Sequence, residues 1–489
     1  MSTTTKDDMV HMETLAADRK VDMEAEEEEP IDRAFERRVV RKVDMQLIPI
    51  LFLLLIFAFL DRINIGNARI MGLEKDLNMK GMDYNIALFT FFITYILFEV
   101  PSNIVLKKVR PSVWLSSLIM GWGIVTICQG FTASFAGLVV CRVLIGALEA
   151  GFIPGCVYLI SMYYPRFEVQ RRLTIQFSGS VFAGALLAYG IFKMDGVKGY
   201  RAWRWVFILE GIATCIFALV ALFVIPDWPE TARFLKEDER QVLLHRLNVD
   251  SAGVKMDRLD KKAMKRILLD KKILFGSFIY LGIGVSNYSV SFFTPTILND
   301  FGWDVLRTQG MSVPVYASAG VMTIVISFIS DWRKHRYGFL VGGLLTCMVG
   351  YGVLLNGDTV SINARYMALF FMSIGGFVAQ PIALIWLSNN MGGHYKRSIS
   401  AAIQIGFGNC AGFISTNIYF RWEAPTYTTG TGTSLGFVGV AILSATALLI
   451  YCILENRKRD RGEYNSRLEL PADERDNLGD DHPNFRFIY

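Results

Sequence analysis

Four ionisable side chains stand in stretches that are otherwise apolar, and their chemistry suits binding protons and small anions. Asp61 and Arg62 interrupt residues 47–66, LIPILFLLLIFAFLDRINIG, and Arg142 and Glu149 interrupt residues 137–155, GLVVCRVLIGALEAGFIPG. Each stretch is long enough to cross the roughly 30 Å of bilayer hydrocarbon. A charge there costs about 3 kcal/mol on insertion scales, and such residues mark a transport path by default. A carboxylate in a dry site can take up and release a proton, which makes Asp61 and Glu149 the proton-coupling candidates. Arginine stays charged and presents a planar fork that suits a carboxylate, so Arg62 and Arg142 are candidates for holding an anionic substrate. All five histidines (His11, His245, His335, His394 and His482) fall in tails or loops.

Depth brings the four together. Asp61 lies about 21 Å along its span at 1.5 Å per residue, and Arg142 lies about 9 Å below the outer end of its own, hence about 21 Å above the inner surface. Arg142 and Glu149 are seven residues apart, two turns on one helical face. One cavity is therefore expected to hold all four.

Composition supports a membrane setting. The chain of 489 residues is 52% hydrophobic and 19% charged, and its apolar residues gather in blocks of span length. Twelve spans are predicted, at 47–67, 84–106, 113–131, 135–161, 172–192, 203–225, 273–297, 311–331, 338–356, 364–388, 397–420 and 434–454. The fold class is an all-α membrane protein, with twelve transmembrane helices in two six-helix bundles. A polar N-terminal tail covers 1–45, the first bundle 46–226, a polar central loop 227–272, the second bundle 273–455 and a second tail 456–489. Two six-span halves are a common transporter layout.

Basic residues fix the orientation. Arg37, Arg38, Arg41 and Lys42 precede the first span, Lys107, Lys108 and Arg110 follow the second, and Arg457, Lys458 and Arg459 follow the last. The positive-inside rule places both ends in the cytosol. The loop with Lys193, Lys198, Arg201 and Arg204 runs against that trend.

Other polar residues are weighed as structure. Glu99, just before Pro101, and Glu210 are expected to pair with loop bases or backbone. The second half carries neutral groups in its spans (Asn287, Gln380, Asn389, Gln404, Asn409 and Asn417), suited to hydrogen-bonding a substrate or to joining helices. Gly151 and Gly155 allow close helix approach. The seven cysteines lie in apolar segments without a CxxC pair and read as small buried residues, with no disulfide framework and no metal site. The net charge of +5 sits mostly in tails and loops, so no nucleic-acid partner is indicated. There is no Gly-Lys dipeptide, hence no phosphate-binding loop for ATP, and no dinucleotide, HExxH or GxSxG motif. The chain is not expected to be an enzyme or to need a cofactor beyond a proton gradient.

Several stretches together resemble the major facilitator superfamily, and within it the allantoate permease-like fungal branch of the anion:cation symporter family. They are Phe59-Leu-Asp-Arg-Ile-Asn-Ile-Gly-Asn-Ala68, Phe98-Glu-Val-Pro-Ser-Asn103, Arg142 through Gly155, Ala202-Trp-Arg-Trp-Val-Phe-Ile-Leu-Glu-Gly211, Trp386-Leu-Ser-Asn-Asn390 and Gly406-Phe-Gly-Asn409. The resemblance implies alternating access driven by protons, with Asp61, Arg62, Arg142 and Glu149 in coupling and anion binding. It further implies substrate contacts at Tyr95, Gln176, Ser388 and Asn409. The acidic, Gly-rich loop of the superfamily is replaced between the second and third spans by Asn103-Ile-Val-Leu-Lys-Lys-Val-Arg110, while Asp331-Trp-Arg-Lys-His-Arg336 keeps its pattern better.

The leading expectation is a monomeric proton-coupled symporter of a small organic anion, a carboxylate of the vitamin or allantoate kind, in the plasma membrane. The alternatives are a proton-antiporting exporter of a metabolite or toxic anion, and a non-transporting nutrient receptor.

Overall fold

The computed structural model describes residues 33–165, 168–169, 172, 194–252, 267, 269–333, 335–357, 359–392, 394–469 and 478–489. Helices α1 (Arg33–Ala68), α2 (Asp83–Leu106), α3 (Pro111–Gly130), α4 (Phe135–Glu149), α5 (Phe152–Tyr163) and α6 (Ala202–Val224) form one group. α7 (Glu237–Ala252) follows as a polar helix. α8 (Lys271–Asn299), α9 (Val305–Arg333), α10 (Tyr337–Leu355), α11 (Ile362–Asn389), α12 (His394–Asn409), α13 (Ala411–Thr416) and α14 (Thr428–Asp460) form the second group. Ten helices among the described residues are long and apolar enough to cross a membrane, α4 and α5 counting as one. Lipid offers the backbone no partner, so each such run must close its own hydrogen bonds as a helix.

The eleventh predicted span is broken at Cys410 into α12 and α13. The fifth predicted span lies outside the described residues except for Arg172, and so does Gln176.

α1 already covers Arg33, well ahead of the predicted start of the first bundle at residue 46. Val39 and Val43 turn inward and are buried. The polar face is held by ion pairs: Lys42 with Glu239 at 2.6 Å, Asp44 with Arg172 at 2.5 Å and Glu36 with Arg246 at 2.6 Å. α7 thus braces the start of α1. We call this face of the bundle the tail end and the opposite face the distal end.

Within the first group α6 packs on α3 and α1, and α2 on α4; within the second, α10 packs on α11, and α8 on α14, α11 and α12. Gly151 lets α2 approach, since a Cβ there would stand 1.7 Å from Ser102 Oγ. The groups meet where α1 crosses α8 and α2 crosses α13. Gly66 makes the first crossing possible, because a Cβ would fall 2.7 Å from the Phe292 carbonyl oxygen.

The distal end is closed by contacts between the groups. Arg421 Nη1 lies 2.7 Å from Glu74 Oε2, Asn85 Nδ2 donates to the Thr416 carbonyl at 2.6 Å, and the Phe89 and Phe413 rings are 5.1 Å apart. Two arginines of the basic loop that runs against the charge trend are tied locally: Arg201 pairs with Asp76 at 3.2 Å and Arg204 donates to the Gly130 carbonyl at 3.0 Å.

At the tail end of the second group, part of the predicted tail is packed rather than free. Ile488 N donates to Asn390 Oδ1 at 2.8 Å, and Trp386 Nε1 donates to the Ile488 carbonyl at 2.9 Å. Asp480 is buried against Lys272 and Lys396, with Lys396 Nζ 2.8 Å from its Oδ1. Burial alone would push the Asp480 carboxyl up, but the two ammonium groups outweigh it and hold it below its ordinary value. Cys141, Cys156, Cys347 and Cys452 are buried as expected of small apolar residues, whereas Cys128 is exposed on the outside of α3.

Candidate functional site

The centre of the molecule is an ion pair. Arg62 on α1 places Nε 2.6 Å from Oε1 of Glu149, the last residue of α4, and both side chains are buried. The guanidinium lies over the Tyr95 ring at 4.7 Å and near the Phe91 and Phe59 rings at 5.5 and 5.9 Å. Such aromatic faces stabilise a cation by roughly 1 kcal/mol each once it is desolvated.

A cavity of about 50 Å³ opens from Arg62 between the two groups. Phe59, Arg62 and Tyr95 line it on one side. Tyr280, Asn287, Tyr288 and Phe292 of α8, Phe377 and Gln380 of α11, and Asn409 of α12 line it on the other. Its polar atoms are linked. Arg62 Nη1 donates to the Tyr288 hydroxyl at 3.3 Å, which donates to Asn409 Oδ1 at 3.2 Å. Asn409 Nδ2 in turn donates to Glu99 Oε2 at 3.4 Å. Across the cavity Asn287 Nδ2 donates to Gln380 Oε1 at 2.8 Å, and Gln380 Nε2 to the Tyr280 hydroxyl at 3.2 Å. One cation, aromatic walls and neutral donors make a receptor suited to a small anion with a partly apolar body.

Of the four charges only Arg62 lines this cavity; Glu149 stands behind it, and Asp61 and Arg142 do not line it either. They point into the interior of the first group, toward α3 and α6. Asp61 accepts from Thr126 Oγ1 at 3.2 Å, and its charged neighbours are Glu149, Arg142 and Glu210. Glu210 accepts from Asn64 Nδ2 at 2.8 Å, and Asn67 Nδ2 donates to Asn64 Oδ1 at 3.0 Å. The single chamber expected for all four charges is thus two adjoining compartments, with Glu149 near both. Helical geometry is the reason: consecutive residues project about 100° apart, so Asp61 and Arg62 cannot face one space. Arg142 Nε and Nη2 have no hydrogen-bond partner among the described residues.

The remaining expectations divide. Tyr95 and Asn409 line the cavity. Ser388 does not: it stands one residue from the tail end of α11, where its carbonyl accepts from Arg397 Nε at 3.1 Å. Gln380, two turns deeper, is the polar residue of α11 that reaches the cavity. Glu99 and Glu210 meet Asn409 and Asn64, not loop bases. Tyr280, Tyr288 and Phe292 were not anticipated. Their signal was present, because Tyr280, Gly284, Asn287, Tyr288 and Ser291 recur every third or fourth residue along α8 and make one small and polar stripe.

Among the described residues no group of three or more His, Cys, Asp or Glu side chains could hold a metal ion. The fold and this buried, charge-bearing cavity between two helix groups define a multi-pass membrane transporter. Residues 51–416 match the Major Facilitator Superfamily, and the chain belongs to it. Transporters of this family are not enzymes and need no cofactor. An uncharacterized transporter of Schizosaccharomyces pombe is 35% identical over 431 residues, covering 87% of this chain and 88% of that protein. The MFS-type transporter cnsO of Penicillium expansum is 31% identical over 471 residues, covering 93% of this chain and 91% of its own. The fold is also that of a bacterial homolog to the human lysosomal transporter Spinster in an inward-facing and unoccupied conformation, with TM-score 0.63 at 15% identity over 86% of this chain and 97% of that one.

Proposed function

We propose that this transporter is a proton-coupled symporter that imports a small organic anion, a monocarboxylate, across the plasma membrane by alternating access. In this reading the tail end is cytosolic, and the closed distal end makes the described state inward-facing. The observation that carries it is the buried Arg62–Glu149 pair, 2.6 Å apart, whose arginine lines a cavity between the halves. A substrate carboxylate takes the free edge of the Arg62 fork, where Nη2 has no partner among the described residues. A proton on Glu149 removes the competing charge. Anion on arginine and proton on glutamate leave the loaded site neutral, and a neutral site is cheaper to turn through a low-dielectric interior. Asp61, behind Glu149, is the second proton-coupling acid, and Arg142 is its counter-charge. Tyr95 and Asn409 contact the substrate.

The test is uptake by the full chain reconstituted in liposomes with an inward proton gradient, using labelled acetate, pyruvate, benzoate and nicotinate. Glu149→Gln should abolish uphill accumulation and retain exchange of whichever acid is carried. Full uphill accumulation by that variant would end the assignment. Efflux driven by the opposite gradient, without uptake, would make the protein an exporter instead.

A further inference from the structure

Two buried acids, Glu99 and Glu210, have no place in that cycle, and Glu99 is the one that meets the other helix group. Glu99 is 9% exposed and lies seven residues before the tail end of α2, hence about 10 Å inside it. A carboxylate at this depth costs roughly 3 kcal/mol, and an amide would accept from Asn409 equally well without that penalty. A purely structural tie gives no reason for the charge.

We propose that Glu99 is the protonatable half of a two-part lock between the helix groups, and that the substrate anion releases the other half. The proposal rests on the symport reading above. The polar chain crosses the interface twice: from Arg62 on α1 to Tyr288 on α8, and from Asn409 on α12 back to Glu99 on α2. Its direction is set by its ends. A guanidinium only donates and a carboxylate only accepts, so the hydroxyl and the amide between them align in series. The charged and titratable groups that face Glu99 are Arg62 from α1, Tyr95 from α2 itself, Tyr288 from α8, and Cys410 next to α12.

Each crossing is opened by one of the two transported species. A substrate carboxylate makes a charge-assisted bond to Arg62 and displaces the neutral Tyr288 oxygen, which sits at a long 3.3 Å. A proton from water adds to the Glu99 carboxylate and leaves a neutral carboxyl, whose bond to Asn409 is about half as strong. Neither event alone frees both crossings. The lock therefore couples anion to proton mechanically, in addition to the charge balance at Glu149.

The experiment uses the full chain in liposomes and the same four monocarboxylates. In Glu99→Gln the second crossing is permanently weakened. Exchange at equal pH should persist at or above the wild-type rate, while uptake loses about a factor of ten per pH unit of its steepness. In Tyr288→Phe the substrate has no hydroxyl to displace, so KM should fall while the steepness stays as in wild type. Unchanged steepness in Glu99→Gln overturns the lock, and so does loss of exchange in protein that remains monodisperse, since removing a lock cannot freeze the carrier. Unchanged KM in Tyr288→Phe overturns it as well. If Glu149→Gln also leaves uphill accumulation intact, the symport reading has failed; if only Glu99→Gln behaves as wild type, the lock alone has.

Discussion

The Arg62–Glu149 pair makes a quantitative prediction about stability. Both side chains are nearly or fully buried, and the contact is a single 2.6 Å bond through Nε. Removing one partner leaves the other charge uncompensated, at a cost of about 3–5 kcal/mol, whereas removing both with apolar side chains of similar volume is often close to neutral. Arg62→Met should therefore destabilise the protein strongly by stranding Glu149. Glu149→Met should do the same by stranding Arg62, less the roughly 1 kcal/mol or more that the faces of Tyr95 and its neighbours return to the cation. The double substitution should be more stable than either single one. The cycle should close with a coupling energy of about 5 kcal/mol or more, over a thousandfold in the folded-to-unfolded ratio. Denaturation in one mild detergent, followed for the wild type, both single variants and the double, measures it. A double variant as unstable as the sum of the singles would refute the claim that the two charges compensate each other, and with it the charge-balance mechanism.

Further outcomes follow from other contacts. Gly66→Ala puts a methyl against a backbone carbonyl that cannot rotate away, so α1 and α8 must separate at a cost of about 1–3 kcal/mol; cysteine labelling at the distal end should show that end opened relative to wild type. Arg421→Ala removes an ion pair whose arginine is 69% exposed, so stability should change by less than about 1 kcal/mol, while distal labelling again increases. Ser388→Ala should leave the KM of every carried acid unchanged, because the side chain stands outside the cavity; Gln380→Ala should raise it. Asp480 is held below its ordinary value of 3.8, so its contribution to tail docking is present above that value and is lost as pH falls through the lowered one. Residues 479–489 should accordingly stay protected from hydrogen exchange at neutral and mildly acidic pH and open only below about pH 4. Asp480→Asn should expose them at neutral pH by leaving Lys272 and Lys396 with Asp270 as their remaining carboxylate partner.

What the sequence made legible follows from which physics is local. Helices were readable because lipid forces each apolar run to satisfy its own backbone, and that demand is written in composition. Depth set Arg62 level with Arg142 but did not select Glu149 as the partner of Arg62, which only the packing of α1 on α4 does. The split between the Arg62 and Asp61 compartments follows from the angular position of neighbours on α1, which helical pitch sets about 100° apart. The reach of α1 back to Arg33 was hidden because its stabilisation comes from α7 and Arg172, more than a hundred residues away in the chain. Ser388 and Gln380 show the limit of transfer by resemblance: both are polar residues of one helix, and only the depth at which α11 meets the cavity selects between them. Glu99 is the sharpest case. From the chain alone it was an acid near a helix end and a proline, for which a loop base was the natural partner. Its actual neighbour, Asn409, comes from the other helix group. A contact between residues 310 positions apart depends on how the two groups pack, and no local rule in the sequence encodes it.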